Sequence, residues 1–408
     1  MRRVVVTGIG GITALGDNWP VIRGRLERGE TAIRYMTDWE RYDGINTRLA
    51  APIIGFSATD LYPRKKTRTM GQVAGMAVYA TERAFADAGL TNDPVIQNGR
   101  AGIAYGSSFG SPPPVLGFAE LMMNGRSKTL NATSYIQMMS HTAAVNIGIF
   151  FGMKGRVIPT SSACTSASQA IGYAAESIRW GKVDVMVAGG GDELDITQSA
   201  VFDTLFATST RNTQPEATPR PYDQDRDGLV IGEGAVSFIL EEYERAVARG
   251  APIMAELVGF GSNADGSHAT QPQPETMALA MQEALQDAGL PPTAIGYVNG
   301  HGTATEWGDI AETQATHAVF GSRMPIHSLK SYFGHSLGAC GTLEAWLGIE
   351  MMNEGRVFPT ANLVNVDSRC ADLDYLMSAP RQIDMEYFMS NNFAFGGLNT
   401  SLIFKRHR

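Results

Sequence analysis

The chain has 408 residues, 44% apolar and 18% charged, and its 33 Lys plus Arg against 41 Asp plus Glu give a formal net charge of −8. That balance supports a large folded core and excludes a disordered chain; it also argues against a nucleic-acid-binding domain, whose footprint is basic. No apolar run reaches the ~18 residues that span a bilayer, and Cys164, Cys340 and Cys370 lie far apart with neither CxxC nor zinc spacing, so a reducing, cytoplasmic setting without membrane contact is expected.

The N-terminus mimics a signal peptide, with Arg2 and Arg3 ahead of an apolar stretch, but it has no A-x-A site and glycines interrupt it. Val4–Thr7 is read instead as a buried strand entering a glycine turn. Further strands are predicted at 101–105, 183–188, 236–241, 255–259, 295–299, 326–329 and 401–404. Helices are predicted at 71–88, 166–180, 274–288, 310–319 and 342–353. The alternation predicts an α/β fold. Gly89, Gly181, Gly289 and Gly355 suit left-handed helix ends. The pattern repeats: VVVTGIGG at 4–11 resembles IMAELVGFG at 253–261, and a D-A-G-L tetrad ends a helix at Asp87–Leu90 and again at Asp287–Leu290. Two related lobes are therefore expected, residues 1–250 and 251–408.

Three short motifs compete for attention. Gly334-His-Ser336-Leu-Gly338 matches the nucleophile elbow of serine acyl hydrolases and acyltransferases. The only histidine after Ser336 is His407, one residue from the end, where chains are poorly anchored. Asp223–Gly228 begins like a calcium loop, yet position twelve is Gly234 rather than Glu. Gly259–Ala264 matches a permissive dinucleotide pattern without the acidic strand end that should follow.

The stronger constellation starts at Cys164. It sits among small residues (PTSSACTSAS, 159–168) at a strand-to-helix junction. A helix N-terminus favours thiolate there and supplies oxyanion-binding N–H groups; a buried, inert cysteine is the competing reading. His301 and His335 each follow a predicted strand and stand next to glycine, at the strand ends where open α/β sheets bind ligands. One thiol and two such histidines suggest covalent acyl chemistry plus stabilisation of a second anion.

Five long strings make the resemblance specific: SSACTSA around Cys164, RPYDQDRDGLVIGEGA at 220–235, HGTATEWGD at 301–309, KSYFGHSLGACG at 330–341 and NNFAFGGLNTSLIF at 391–404. Over nearly the whole chain it resembles the β-ketoacyl-[acyl carrier protein] synthases of the thiolase superfamily. The resemblance implies a thiolase-like fold of two pseudo-duplicated α/β lobes in an αβαβα stack. It implies that Cys164 carries the acyl group while His301 and His335 stabilise the enolate left by decarboxylation of malonyl-ACP. Phe395 would complete the oxyanion hole with Cys164 and act as a gate, and Lys330 would be the active-site lysine, partnered by Glu344. Thr303 and Thr305 would hold the pantetheine arm, with Phe393 and Phe109 at the substrate, the latter near the acyl-pocket floor. Asn299, Glu312, Glu344, Ser390 and Asn399 match positions that in some relatives hold a structural Na⁺ or K⁺; otherwise no cofactor is implied beyond the phosphopantetheine of the carrier protein. Arg64, Lys65, Lys66 and Arg68, with Arg126, Lys128 and Arg211, form the implied docking surface for acidic acyl carrier protein. A homodimer through the first lobe is implied; pairing with a ketosynthase-like subunit, or a non-catalytic role as such a subunit, stays open.

Common relatives read HGTSTP, GAAG and FGFGGTN. Here Glu306 replaces a proline, Tyr332 and Phe333 add bulk beside His335, and Leu398 replaces a threonine. These departures resemble ketosynthases of specialised pathways such as aryl polyene synthesis, which implies a flat, unsaturated or aryl-primed acyl chain.

Overall fold

The structure is a computed structural model that describes residues 1–407. Eleven strands form one mixed sheet. In chain order they are β1 (Val4–Thr13), β2 (Ala101–Gly106), β3 (Val157–Thr160), β4 (Val185–Asp192), β5 (Gly234–Glu242), β6 (Ala255–Ala264), β7 (Ile295–Asn299), β8 (Pro325–His327), β9 (Asp374–Tyr375), β10 (Tyr387–Ala394) and β11 (Leu398–Arg406). The first half has the order β1-β5-β4-β2-β3 and the second β6-β11-β10-β7-β8, with β9 added at its edge. In each half the first two pairings are antiparallel and the next two parallel. The halves join where β1 meets β6, through Val5 opposite Glu256 and Val6 opposite Ala255.

The principal helices are α1 (Gln72–Asp87), α2 (Ser166–Arg179), α3 (Pro274–Ala288), α4 (Glu306–Phe320) and α5 (Cys340–Glu354). Helix α1 covers the outer face of the first half, and α3 with α4 covers that of the second. Helices α2 and α5 pack on each other and on strands of both halves, which makes the central layer of an αβαβα stack. Burial follows: in α5 every residue but Glu350, Asn353 and Glu354 is buried, as expected of a helix surrounded by protein. No helix among the described residues is long and apolar enough to cross a membrane.

The glycines after Thr7 do not make a turn, and β1 runs through them to Thr13. They allow close packing. A Cβ on Gly8 would lie 2.4 Å from the Ala84 carbonyl oxygen of α1, and one on Gly10 2.2 Å from that of Ala80. Strand β6 likewise continues past its glycines: Cβ atoms on Gly259 and Gly261 would lie 2.3 and 2.0 Å from the carbonyl oxygens of Ala284 and Ala280 on α3. Asp87 Oδ2 accepts from the Ile9 N–H at 2.9 Å, and Asp287 Oδ2 from the Phe260 N–H at 3.0 Å. The repeated tetrads thus tie each helix to its glycine strand in the same way.

Candidate active site

Four strand ends from both halves meet at one place. Cys164 follows β3, His301 follows β7, His335 follows β8 and Phe395 follows β10. The hydroxyl-rich string around Cys164 knots its own turn: Ser166 Oγ donates to the Ala163 carbonyl at 2.7 Å and accepts from the Ser162 N–H at 2.9 Å. Ala163 is held at φ +50°, Ala304 at +64° and Leu337 at +49°. Left-handed non-glycine residues thus stand beside all three reactive side chains, and such strain persists only where surrounding structure imposes it.

Cys164 Sγ and one ring nitrogen each of His301 and His335 lie within 4.8 Å of one another. His335 Nε2 is 3.0 Å from Cys164 Sγ, while its Nδ1 accepts the Leu337 N–H at 3.2 Å. His301 Nδ1 faces Lys330 Nζ at 3.2 Å and Asn392 Nδ2 at 3.4 Å, both donors. Burial, then Lys330, pushes both imidazoles well below the usual histidine value, and His335 lowers His301 further. Both rings are therefore neutral at physiological pH, and each accepts at Nδ1. The hydrogen-bond pattern assigns the proton of each to Nε2, so His335 presents an N–H to the sulfur at 3.0 Å, and His301 carries its proton on the nitrogen that does not face Lys330.

Burial pushes the Cys164 thiol up to about 11, while the Phe395 N–H, Lys330 and the Cys164 N–H pull it down. The expected resting thiolate is thus corrected: helix α2 begins only at Ser166, and its terminus does not offset the loss of water around a sulfur whose residue is buried. The same two N–H groups, of Phe395 and Cys164, are directed at the sulfur. Lys330 pairs with Glu344 in full burial. Against the burial that disfavours its charge, Glu344 raises the Lys330 ammonium above its usual range.

The His301 loop is clamped from α4. Glu312 accepts the His301 N–H at 2.6 Å and the Gly302 N–H at 2.7 Å; Asp309 accepts the Thr303 and Ala304 N–H groups at 3.0 and 3.1 Å. Burial pushes Glu312 up to about 7 and Asp309 to about 6. A cleft of about 520 Å³ leads to Cys164, lined by Thr303, Thr305, Phe393, Phe395, Phe202, Phe206 and Trp307 among others. Thr303 and Thr305 share a hydroxyl contact of 2.8 Å.

Residues 1–246 match the family profile described as "Beta-ketoacyl synthase, N-terminal domain" and residues 254–364 the one described as "Beta-ketoacyl synthase, C-terminal domain". The chain belongs to the β-ketoacyl synthase family. It is a condensing acyltransferase of thiolase-like fold. It is 37% identical to the 3-oxoacyl-[acyl-carrier-protein] synthase 2 of Vibrio harveyi over 99% of both chains. Among solved structures it is similar to a β-ketoacyl synthase from Burkholderia phymatum (58% identity, TM-score 0.99, all of both chains). It is also similar to a ketosynthase in complex with its chain length factor from Xenorhabdus doucetiae (25% identity, TM-score 0.83, all of this chain and 98% of that one).

Against this ketosynthase frame several expected residues fall elsewhere. Phe109 is 44% exposed and does not line the cleft. Tyr332 and Phe333 are buried in the apolar core rather than crowding the cleft beside His335. Arg64, Lys65, Lys66, Arg68, Arg126 and Lys128 are exposed, but Arg211 is engaged within its own loop, 3.5 Å from Asp227 and donating to the Asp225 carbonyl at 2.7 Å. Ser336 is buried and outside the cleft lining, and His407 packs on Tyr243, so the elbow string has no base.

The five suggested cation ligands divide. Asn299 and Ser390 are register partners whose buried Oδ1 and Oγ lack a hydrogen-bond partner among the described residues, and Asn299 Nδ2 donates to the Glu344 carbonyl at 2.9 Å. These oxygens fit a hard monovalent ion. The Glu312 carboxylate is spent on the His301 loop, that of Glu344 on Lys330 and Asn392, and Asn399 binds Asn263 and Asp265.

Asn392 and Asp192 are site residues that sequence reading passed over. Asp192 takes Ser107 and Ser108 on one side and the Gly338 N–H on the other. Its only signal is an acidic residue ending a buried glycine strand.

Proposed function

We propose that the chain extends a Cys164-bound acyl group by two carbons through decarboxylative condensation with malonyl-ACP. The observation that carries this is the convergence of Cys164 Sγ with two neutral histidines, each protonated on Nε2 and each with a ring nitrogen within 4.8 Å of the sulfur. The sulfur attacks the acyl-ACP thioester carbonyl, the C–S bond to the carrier breaks, and the thiol proton leaves with the pantetheine thiol. The N–H groups of Cys164 and Phe395 hold the oxyanion. In its assigned tautomer His335 is not the base; its Nε2–H stabilises the small thiolate fraction. Malonyl-ACP then loses CO₂, and the electron pair of the broken C–C bond passes into a thioester enolate whose oxygen takes both Nε2–H bonds. The enolate carbon attacks the Cys164 acyl carbon, and the sulfur leaves as thiolate. Incubation with acyl-ACPs followed by peptide mass spectrometry tests the loading step: an acyl adduct on the Cys164 peptide is expected, and one on the Ser336 peptide overturns the mechanism.

The exposed basic residues from Arg64 to Arg68 support docking of an acidic carrier protein. The open sheet edge at β3, with exposed Leu116, Met122, Met123 and Ile149, supports burial against a second copy or a ketosynthase-like subunit. In such a pair the retained Cys164, His301, His335 and Lys330 suit the catalytic partner. The aromatic cleft lining supports a flat, unsaturated or aryl-primed acyl chain; equal turnover of saturated chains of every length argues against it. Asn299 and Ser390 would hold a Na⁺ or K⁺ that gives their buried oxygens the partner they lack.

A further inference from the structure

Asn392 occupies a buried crossing point between the two halves of the site. It lies on β10, fully buried. Its Oδ1 accepts from Ser168 Oγ, on the helix that follows Cys164. Its Nδ2 donates to Glu344 Oε2 at 2.7 Å and faces His301 Nδ1 at 3.4 Å and Cys340 Sγ at 3.5 Å. The amide orientation is determined by these neighbours. Reversed, Oδ1 would face the Glu344 carboxylate and a His301 nitrogen that has no proton, so both donor contacts would become repulsive.

Glu344 has two oxygens. One takes Lys330, the other Asn392. Lys330 in turn reaches His301 Nδ1. Without the amide, Glu344 Oε2 is a buried carboxylate oxygen lacking its donor, and the ammonium that holds the His301 tautomer is free to re-centre between the two oxygens. His335 takes its tautomer from the Leu337 N–H alone. Cys164 has no hydrogen bond to Asn392. The amide's own contacts therefore reach one histidine and neither the other nor the thiol; it meets Cys164 only at second hand, through the charge of Lys330 and through Cys340, whose Sγ donates to the Cys164 carbonyl at 3.3 Å.

We infer that Asn392 is a positioning residue for decarboxylation: by anchoring Glu344 and Lys330 to the nucleophile helix it holds His301 with Nε2–H aimed at the enolate oxygen, and it bears far less on acyl loading of Cys164. This rests on the condensation reading above. It assigns the two half-reactions to separable supports, with Asn392 serving chiefly the second.

The experiment measures two rates on the same protein: acylation of Cys164 by acyl-ACP, followed by intact mass, and CO₂ release from malonyl-ACP by the pre-acylated enzyme. Wild type must show both; if it shows neither, the condensation reading fails and Asn392 is not at issue. Asn392→Ala is expected to keep loading within about threefold and to lower kcat for decarboxylation about 10- to 100-fold, the effect of a lost hydrogen bond to a charged group, with KM for malonyl-ACP little changed. Asn392→Asp fills the same volume without the donor and is expected to fall as far. Asn392→Ser restores a hydroxyl donor and is expected to recover part of the loss. Wild-type decarboxylation in Asn392→Ala or Asn392→Asp overturns the proposal, as does a parallel fall in loading. Should neither variant fold, Ser168→Ala decides: about a 3- to 10-fold loss of decarboxylation alone is expected from one neutral hydrogen bond, and an unchanged rate overturns it.

Discussion

The two halves of the molecule share one strand order and perform different work. Cys164 follows the third strand of the first half, and His335 follows the third strand of the second. His301 follows the second strand of its half; the matching slot in the first holds the Ser107–Phe109 loop. Leaving out the edge addition β9, Phe395 follows the fourth strand, and Asp192 ends the corresponding one. The duplication brings equivalent strand ends to a common centre, while loop residues decide which end becomes nucleophile, donor or brace. Scaffold and chemistry are thus separable here: the glycine strands and the aspartates that tie a helix to each are duplicated, reactive side chains are not.

The largest effect should come from removing a unique member. Cys164→Ala should abolish condensation while leaving the unfolding midpoint nearly unchanged; residual condensation above one part in about 10³ would mean another residue carries the acyl group. Lys330→Ala should cost about 3–5 kcal/mol of stability, because it leaves the buried Glu344 uncompensated. The paired change Lys330→Met with Glu344→Gln should recover most of that stability and none of the activity, as read by denaturant unfolding beside a turnover assay.

The duplicated members should respond alike. Gly8→Ala and Gly259→Ala should each cost about 1–3 kcal/mol by forcing β1 from α1 and β6 from α3. A large difference between them would show that one half repacks more easily, and would break the comparison at its scaffold. The remaining prediction concerns pH. Burial places the Cys164 thiol at about 11, and only the thiolate reacts. Alkylation of Cys164 by iodoacetamide should therefore rise about tenfold per pH unit through the neutral range and level off near that value. A plateau near pH 7 would mean that Lys330 and the two N–H groups outweigh burial.

Much of this was legible in the order of residues. Apolar runs and helix-ending glycines located most principal strands and helices, because local periodicity and turn chemistry are short-range properties. The long strings around Cys164, His301, Lys330, His335 and Phe395 pointed to acyl condensation before any distance was known. The repeated G-x-G and D-A-G-L strings announced the duplication, although those glycines read as turns; the close approach of a packed helix from elsewhere in the chain leaves no mark on the glycine's own neighbours. The expected thiolate erred similarly. A helix terminus is visible in sequence, whereas the dryness of the place where the sulfur finally sits is not. Tertiary structure alone decided that Asn392 braces His301, that Glu312 and Asp309 clamp its loop, that Arg211 is occupied by Asp227 and that Phe109 lies off the cleft. The Asn392 contacts with Glu344 and His301 join segments 48 and 91 residues apart, and even the shorter Glu312, Asp309 and Arg211 contacts depend on how a loop folds back on its neighbour, which periodicity does not show. Sequence by itself determined which residue types are present and what each segment would form; folding determined which of them share a solvent-excluded space, and there hydrogen-bond donors, charges and the absence of water set what each group does.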